Sequence, residues 1–195
     1  METKTIVIAR YSENVDWVTR LSCSYVIFNK GQHIQFPYTQ LENDGRETDT
    51  FLRYIKDNYY NLPDIVGLVQ GNPFDHCSEV IEKINGFSDA DSIEILADQK
   101  VTIDTDYYYN AYPFLKEFFD KEFLSLIEKN NYKWTFGAGA SYILGSKFIK
   151  SKPHDWWTGL YNLHEYFLKK DSHHNYEVGH GFERLWPLIW EKALN

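Results

Sequence analysis

Three short apolar runs, each separated from the next by a stretch with helical spacing, constrain this chain most. Thr5–Ala9 (TIVIA), Ser24–Phe28 (SYVIF) and Asp64–Gln70 (DIVGLVQ) are rich in β-branched and apolar residues. Near-continuous runs of that kind predict strands buried on both faces. Between the first two, Ser12–Leu21 predicts a helix, with Ser12 as N-cap and Val15, Val18 and Leu21 inward. Between the second and third, Phe51, Leu52, Ile55 and Tyr59 recur at helical spacing and Pro63 closes the segment. After the third strand, Phe74–Gly86 predicts a helix with Val80, Ile81 and Ile84 inward, a Glu79–Lys83 pair and Gly86 just past its end. Strand and helix thus alternate three times, the pattern of βαβ units: an α/β fold with a mostly parallel sheet flanked by helices.

The remainder reads as mainly helical. Residues 113–131 predict a long helix opened by Pro113, with Phe114, Leu115, Phe118, Phe119, Phe123, Leu126 and Ile127 on one wide face. Residues 132–145 predict short strands around a Gly-Ala-Gly turn. Helices follow over 155–170 and 181–194, Pro187 starting or kinking the last. The run at 171–177, with two adjacent histidines, reads as a surface loop. No repeat or linker interrupts the 195 residues, so residues 1–195 are expected to form one domain.

Composition removes several function classes. The net charge is −8 and Lys and Arg are scattered singly, so no nucleic-acid partner is expected. Cys23 and Cys77 offer neither a disulfide framework nor zinc spacing, which suits a reducing, cytoplasmic location. No stretch approaches the roughly 20 apolar residues of a membrane span, and the N-terminal run is too short for a signal peptide. A soluble protein without a transmembrane segment is expected. The 6 Trp, 15 Tyr and 13 Phe can fill a core or stack on bases and sugars, core packing being the simpler reading.

In an open α/β sheet, ligands collect beyond the carboxyl ends of the strands. The first strand ends in Ala9, Arg10, Tyr11, Ser12 and Glu13, the second in Asn29, Lys30 and Gly31, and the third in Gln70, Gly71, Asn72, Pro73, Asp75 and His76. Arg10 directly follows a buried strand and needs a partner there. Gly71 and Pro73 bracket Asn72 in a turn that can bring Asn72 and Asp75 together. Arg46, just before a helix, suits phosphate; it reads equally well as a surface residue paired with Glu42 or Asp49. Asp89/Asp91 and Asp104/Asp106 could hold Mg²⁺ or Mn²⁺, though solvated loop carboxylates explain both pairs better. Near His180, Glu183 can serve as a general base and Arg184 as its partner or a phosphate ligand, or the group is a salt-bridged helix start. No Walker loop, G-x-G-x-x-G or G-x-S-x-G motif is present.

Several stretches taken together carry a resemblance: VIARYSENVDWV, IFNKG, GRETDTFLRYIKDNYYNLPDIVGLVQGNPFDH, GAGASYILG and GHGFERLWPLIW. In order and spacing they resemble a glycosyltransferase-like domain family of unknown function. Its members carry an ARYNED…W start, a GRE…TYL…DNYDNLPD helix and an F-L-Q-G-x-P-F-D-H strand end. They are also similar to the N-terminal glycosyltransferase domain of a large algal-virus protein that decorates the capsid, which would put the chain in host cytoplasm if it is viral.

The resemblance implies a GT-A fold and hexosyl transfer from a nucleotide-sugar, a UDP-sugar foremost, to a glycan or glycoprotein acceptor. It also implies a divalent cation, Mn²⁺ or Mg²⁺. On that mapping Ala9, Arg10 and Tyr11 line the nucleoside pocket with Asn29 and Lys30 near them, and Arg46 approaches the diphosphate. Gln70, Gly71 and Asn72 stand where GT-A enzymes carry Asp-x-Asp, so Asp75 is the expected metal ligand. The Gly137, Ala138, Gly139 turn would approach the donor sugar closely. Glu183 is the expected base, Asp155 the reserve, and Trp156 and Trp157 can stack on the acceptor. The alternative is a non-catalytic nucleotide-sugar or glycan-binding module on the same fold. A metal-dependent phosphohydrolase ranks last, for want of a dense carboxylate and histidine cluster.

Overall fold

The computed structural model describes residues 2–127, 132–170 and 175–191. Its centre is a six-stranded sheet. The three predicted strands are present as β1 (Lys4–Arg10), β2 (Ser24–Asn29) and β4 (Ile65–Gln70), with β1 between the other two and parallel to both. A two-residue strand β3 (Thr39–Gln40) extends the β2 edge in parallel. Beyond β4 lie β8 (Tyr142–Gly145), antiparallel to it, and β5 (Ile93–Ile95), antiparallel to β8. The sheet order is therefore β3-β2-β1-β4-β8-β5. A separate ribbon pairs β6 (Lys100–Asp104) with β7 (Lys133–Gly137). The fold is α/β with a mixed, mostly parallel sheet flanked by helices.

β1 is apolar throughout because it serves two cores. Strand side chains alternate in direction, so Val7 and Ala9 face one layer while Ile6 and Ile8 face the other. The first layer contains α1 (Arg46–Asn58), α6 (His154–Lys170) and α7 (Asn175–Glu191), which bring Phe51, Trp157, Phe182 and Trp186 to the sheet. The second contains a 3₁₀ turn at Asp16–Arg20 and α2 (Val80–Gly86), which bring Val15, Trp17, Val18, Val80, Ile81 and Ile84. Each fully buried aliphatic side chain contributes about 1.5–3 kcal/mol. Trp157, Trp186 and Trp190 form a buried stack, with Trp186 and Trp190 only 12° from coplanar at 5.2 Å. These rings are core, as the simpler reading of the composition held.

Several elements differ from expectation. Ser12–Leu21 forms only the 3₁₀ turn, without a side-chain cap. β-branched Val15, Val18 and Thr19 form helix poorly, and Trp17 is pulled inward, donating its indole N–H to the Gly71 carbonyl at 2.8 Å. Phe74–Gly86 divides into a 3₁₀ turn at Pro73–Asp75 and α2, because the Asp98 carboxylate takes the Ser78 N–H between them. Gly86 is the last residue of α2, not the first beyond it. The strands flanking the Gly-Ala-Gly turn are no hairpin: β7 joins the ribbon and β8 the main sheet.

β5, β6 and α3 (Thr105–Ala111) are elements the sequence pattern misses; runs this short show no usable period. The long helix starts with a 3₁₀ turn at Pro113–Leu115 and continues as α4 (Lys116–Ile127), interrupted at Phe123 (φ −123°, ψ 21°). Leu115, Phe119 and Phe123 are buried as expected; the side chains of Leu126 and Ile127, and residues 128–131, lie outside the described ones. α5 (Ser146–Lys150) follows β8 directly. α7 begins at Asn175 and Pro187 lies within it, so part of the expected 171–177 loop is helix; residues 171–174 lie outside the described ones, as do 192–195 of the last predicted helix.

Candidate functional site

The parallel strands end together. Beyond the last ladder pairs, Arg10 with Asn29 and Ala9 with Gln70, the Lys30 N–H donates to the Arg10 carbonyl and the Gly71 N–H to the Ala9 carbonyl, both at 2.8 Å. The polar residues after each run therefore share one edge. α1 arrives there through two successive left-handed residues, Gly45 (φ 63°) and Arg46 (φ 52°). A glycine is strain-free in that region; an arginine is not. The resulting cleft, about 250 Å³, is walled by Ala9, Arg10, Tyr11, Glu13, Lys30, Asn43, Arg46, Glu47 and Gln70.

The three basic residues of the cleft have different duties. Arg10 is buried, and its guanidinium donates to the Glu13, Tyr11 and Gln32 carbonyls and, at 2.6 Å, to Asn29 Oδ1. Asn29 is fully buried behind the wall and serves to hold Arg10. Lys30 Nζ donates to the Asp44 and Arg46 carbonyls and to Asp49 Oδ2. Burial pulls its ammonium below the usual lysine range, against the opposing pull of Asp49. Lys30 thus braces the turn that presents Arg46. Arg46 is exposed; its guanidinium contacts His180 Nε2 at 3.2 Å and Glu47 Oε2 at 3.5 Å. Tyr11, half exposed, offers a ring at the rim.

Two carboxylates belong to the walls. Glu13 Oε2 accepts the Tyr11 N–H at 2.6 Å. A Cβ on Gly71 would lie 2.7 Å from that oxygen, so the absence of a side chain at Gly71 makes room for it. Glu47 is 8% exposed. Burial raises its carboxyl above the ordinary range, and nearby Glu183 pushes the same way, while Arg46 and Lys30 oppose. Glu13 was legible at the end of the first strand; Glu47 and Asn43 were not singled out from the sequence. The one usable signal was Glu47 beside Arg46 in the first turn of a helix.

Other expected site residues fall elsewhere. Asp155 is fully exposed and lines a second groove, beside Glu117, Phe118, Glu122 and Trp156, none of which walls the strand-tip cleft. Trp157 is wholly buried, bonded to the Ile149 carbonyl, and cannot stack on a ligand; Trp156 is half-buried with its indole N–H on Glu122. Glu183 spends one oxygen on the Gly139 N–H (2.7 Å) and the other on Arg184 (2.8 Å). It anchors the Gly137, Ala138, Gly139 turn to α7 and is not among the cleft walls. The glycines have packing reasons. A Cβ on Gly137 would lie 2.3 Å from Ile95 Cγ2, and one on Gly139 2.4 Å from His76 Cδ2.

Asn72 and Asp75 follow β4 at the start and end of the 3₁₀ turn and likewise do not wall the cleft; Asp75 is exposed. A single carboxylate and a carboxamide are a thin donor set for a hard cation, which prefers several oxygens. Among the described residues, Asp49, His164 and Glu165 bring three possible ligand atoms within 4.8 Å of one another. Lys30 and Arg53 already occupy the two Asp49 oxygens. Asp89 and Asp104 are local: Asp89 accepts from the Asp91 N–H and the Ser92 hydroxyl, and Asp104 caps α3 through the Tyr107 N–H.

A family model described as "Protein of unknown function (DUF3431)" matches residues 6–113. That span contains every wall of the cleft, and neither the Gly137–Ala140 turn nor α7. No solved structure matches the chain. No helix among the described residues is long and apolar enough to cross a membrane.

Proposed function

The chain belongs to the DUF3431 family, and from the cleft that its matched span builds we propose a GT-A-type, nucleotide-sugar-dependent glycosyltransferase, acting on a glycan or glycoprotein acceptor. The observation that carries this reading is the convergence of three parallel strand tips and the start of α1 on one cleft, with Arg46 exposed in its wall. A diphosphate there meets a guanidinium, which can bind it in bidentate fashion, and the N-terminal end of a 13-residue helix, whose dipole favours an anion. When the bond between the anomeric carbon and the diphosphate breaks, negative charge grows on the leaving phosphate oxygens, and fixed positive groups lower that barrier. The Tyr11 ring supports stacking of a base or sugar. A divalent cation would find at Asp75 a donor set too thin to hold it alone, and no step here passes through one.

The engagement of both Glu183 oxygens favours a second reading, a non-catalytic nucleotide-sugar-binding module. Thermal-shift titrations with UDP-, GDP- and dTDP-sugars, with and without Mn²⁺, followed by assays of nucleoside diphosphate release, separate the two. Binding with acceptor-dependent release supports the transferase. Binding without release supports the module. No shift with any nucleotide at millimolar concentration removes both.

A further inference from the structure

A transferase that inverts the anomeric centre needs a base at the acceptor hydroxyl. Of the carboxylates expected to serve, Asp155 lies in another groove and Glu183 is spent on Gly139 and Arg184. Within the cleft, Glu13 is committed to the Tyr11 N–H. Glu47 differs. It walls the cleft beside Arg46 and is nine-tenths buried, yet its nearest cation, Arg46 Nε, stands at 3.5 Å, beyond a close ionic hydrogen bond. A carboxylate so placed costs stability.

We propose that Glu47 is the general base of the reaction, accepting the proton of the acceptor hydroxyl. The assignment rests on the glycosyl-transfer reading. In the step, the acceptor oxygen bonds to the anomeric carbon as its proton passes to the Glu47 carboxylate. The bond from the anomeric carbon to the diphosphate oxygen breaks, and its electron pair leaves with the nucleoside diphosphate beside Arg46. No oxidant or reductant is involved. The groups facing Glu47 are Arg46 on its own helix, Lys30 from the β2 tip and Glu183 from α7, with Arg10 and Glu13 in the same cleft walls. Burial and, less strongly, Glu183 raise the carboxyl, while Arg46, the Glu47 backbone N–H and Lys30 favour its ionised form. A purely structural acidic residue in a first helical turn would instead stabilise α1 through the dipole.

The test uses the full chain, Glu47→Gln and Glu47→Asp. Nucleoside diphosphate affinity is measured by titration with UDP, GDP and dTDP, and turnover by diphosphate release from the bound nucleotide-sugar to acceptor or to water, across pH 5–9 or so. Glu47→Gln is expected to retain diphosphate affinity within about threefold, lose roughly 100-fold or more in turnover and lose the acidic limb of the pH–rate profile. Glu47→Asp should recover part of the rate with that limb restored. Wild-type turnover in Glu47→Gln, or reduced turnover with the acidic limb intact, overturns the assignment and leaves the transferase standing. If the unaltered chain binds no nucleotide, or binds one without ever releasing diphosphate, the transferase reading falls and the base falls with it.

Discussion

Lys30 and Asp49 form an ion pair of 2.8 Å with both side chains at least 96% buried, and that pair, not the cleft lining alone, decides where Arg46 stands. The same ammonium holds the carbonyls of Asp44 and Arg46, the two residues flanking Gly45. Removing Lys30 leaves the buried Asp49 carboxylate, among the described residues, with only the partly exposed Arg53, at 3.3 Å, as a partner. Lys30→Met is therefore expected to cost about 2–3 kcal/mol in urea unfolding, below the roughly 3–5 kcal/mol of a fully uncompensated buried charge. Restoring apolar balance with Lys30→Met/Asp49→Leu should recover part of that loss without recovering diphosphate affinity. Equal affinity in the double variant and the unaltered chain would show that the brace does not position Arg46.

Arg46 holds a left-handed conformation at φ 52°, which costs a non-glycine residue about 1 kcal/mol. Arg46→Gly should relieve that strain and leave the melting temperature unchanged or slightly raised, while diphosphate affinity falls about tenfold or more. Calorimetric titration with UDP or GDP beside a thermal melt reads both quantities. A variant that binds as well as the original would remove Arg46 from the donor site.

His164 is fully buried against Phe182, and neither ring nitrogen meets hydrogen-bond geometry among the described residues. Burial drives its pKa from 6.5 down to about 4, with Asp49 pulling upward and Lys30 and Arg53 adding to the depression. As pH falls below 6.5 the unfolded chain gains a proton that the folded chain refuses until about pH 4, so stability should decline across that window, by about 3 kcal/mol. His164→Leu should flatten the decline in urea melts at pH 7 and pH 4.5. An unchanged slope would place the acid sensitivity elsewhere.

Gly139 sits at φ 90° with the His76 ring where a side chain would go. Gly139→Ala is expected to destabilise by about 2 kcal/mol or more through backbone strain and this contact. Because the Glu183 carboxylate anchors this turn, Glu183→Gln should also lower the melting temperature while leaving turnover within a few fold. A large loss of turnover with normal stability would return Glu183 to the catalytic step.

The three buried strands were legible as continuous apolar, β-branched runs, and the helix between β2 and β4 from its apolar spacing. Arg10, Lys30 and Gln70 were legible as an edge set because polar residues at the end of a buried parallel strand gather at its carboxyl edge. Their separate duties were not legible. From spacing alone, Lys30 and Arg46 are two basic residues near one site. Burial of one against Asp49 and exposure of the other is settled by how α1 packs on β1 and against α6 and α7.

The base shows the same division. Glu183 was the expected base and Asp155 the reserve, whereas packing engages both oxygens of the first and sends the second to another groove. Glu47 drew no notice because one carboxylate in a first helical turn is ordinary. Local pattern and period, then, were enough for the α/β class, the three parallel strands and the edge where ligands would gather. Which side chains are buried, paired or open to the cleft depends on contacts between residues as far apart as Gly139 and Glu183, or Arg46 and His180. No periodicity encodes those contacts, and only the folded chain decides them.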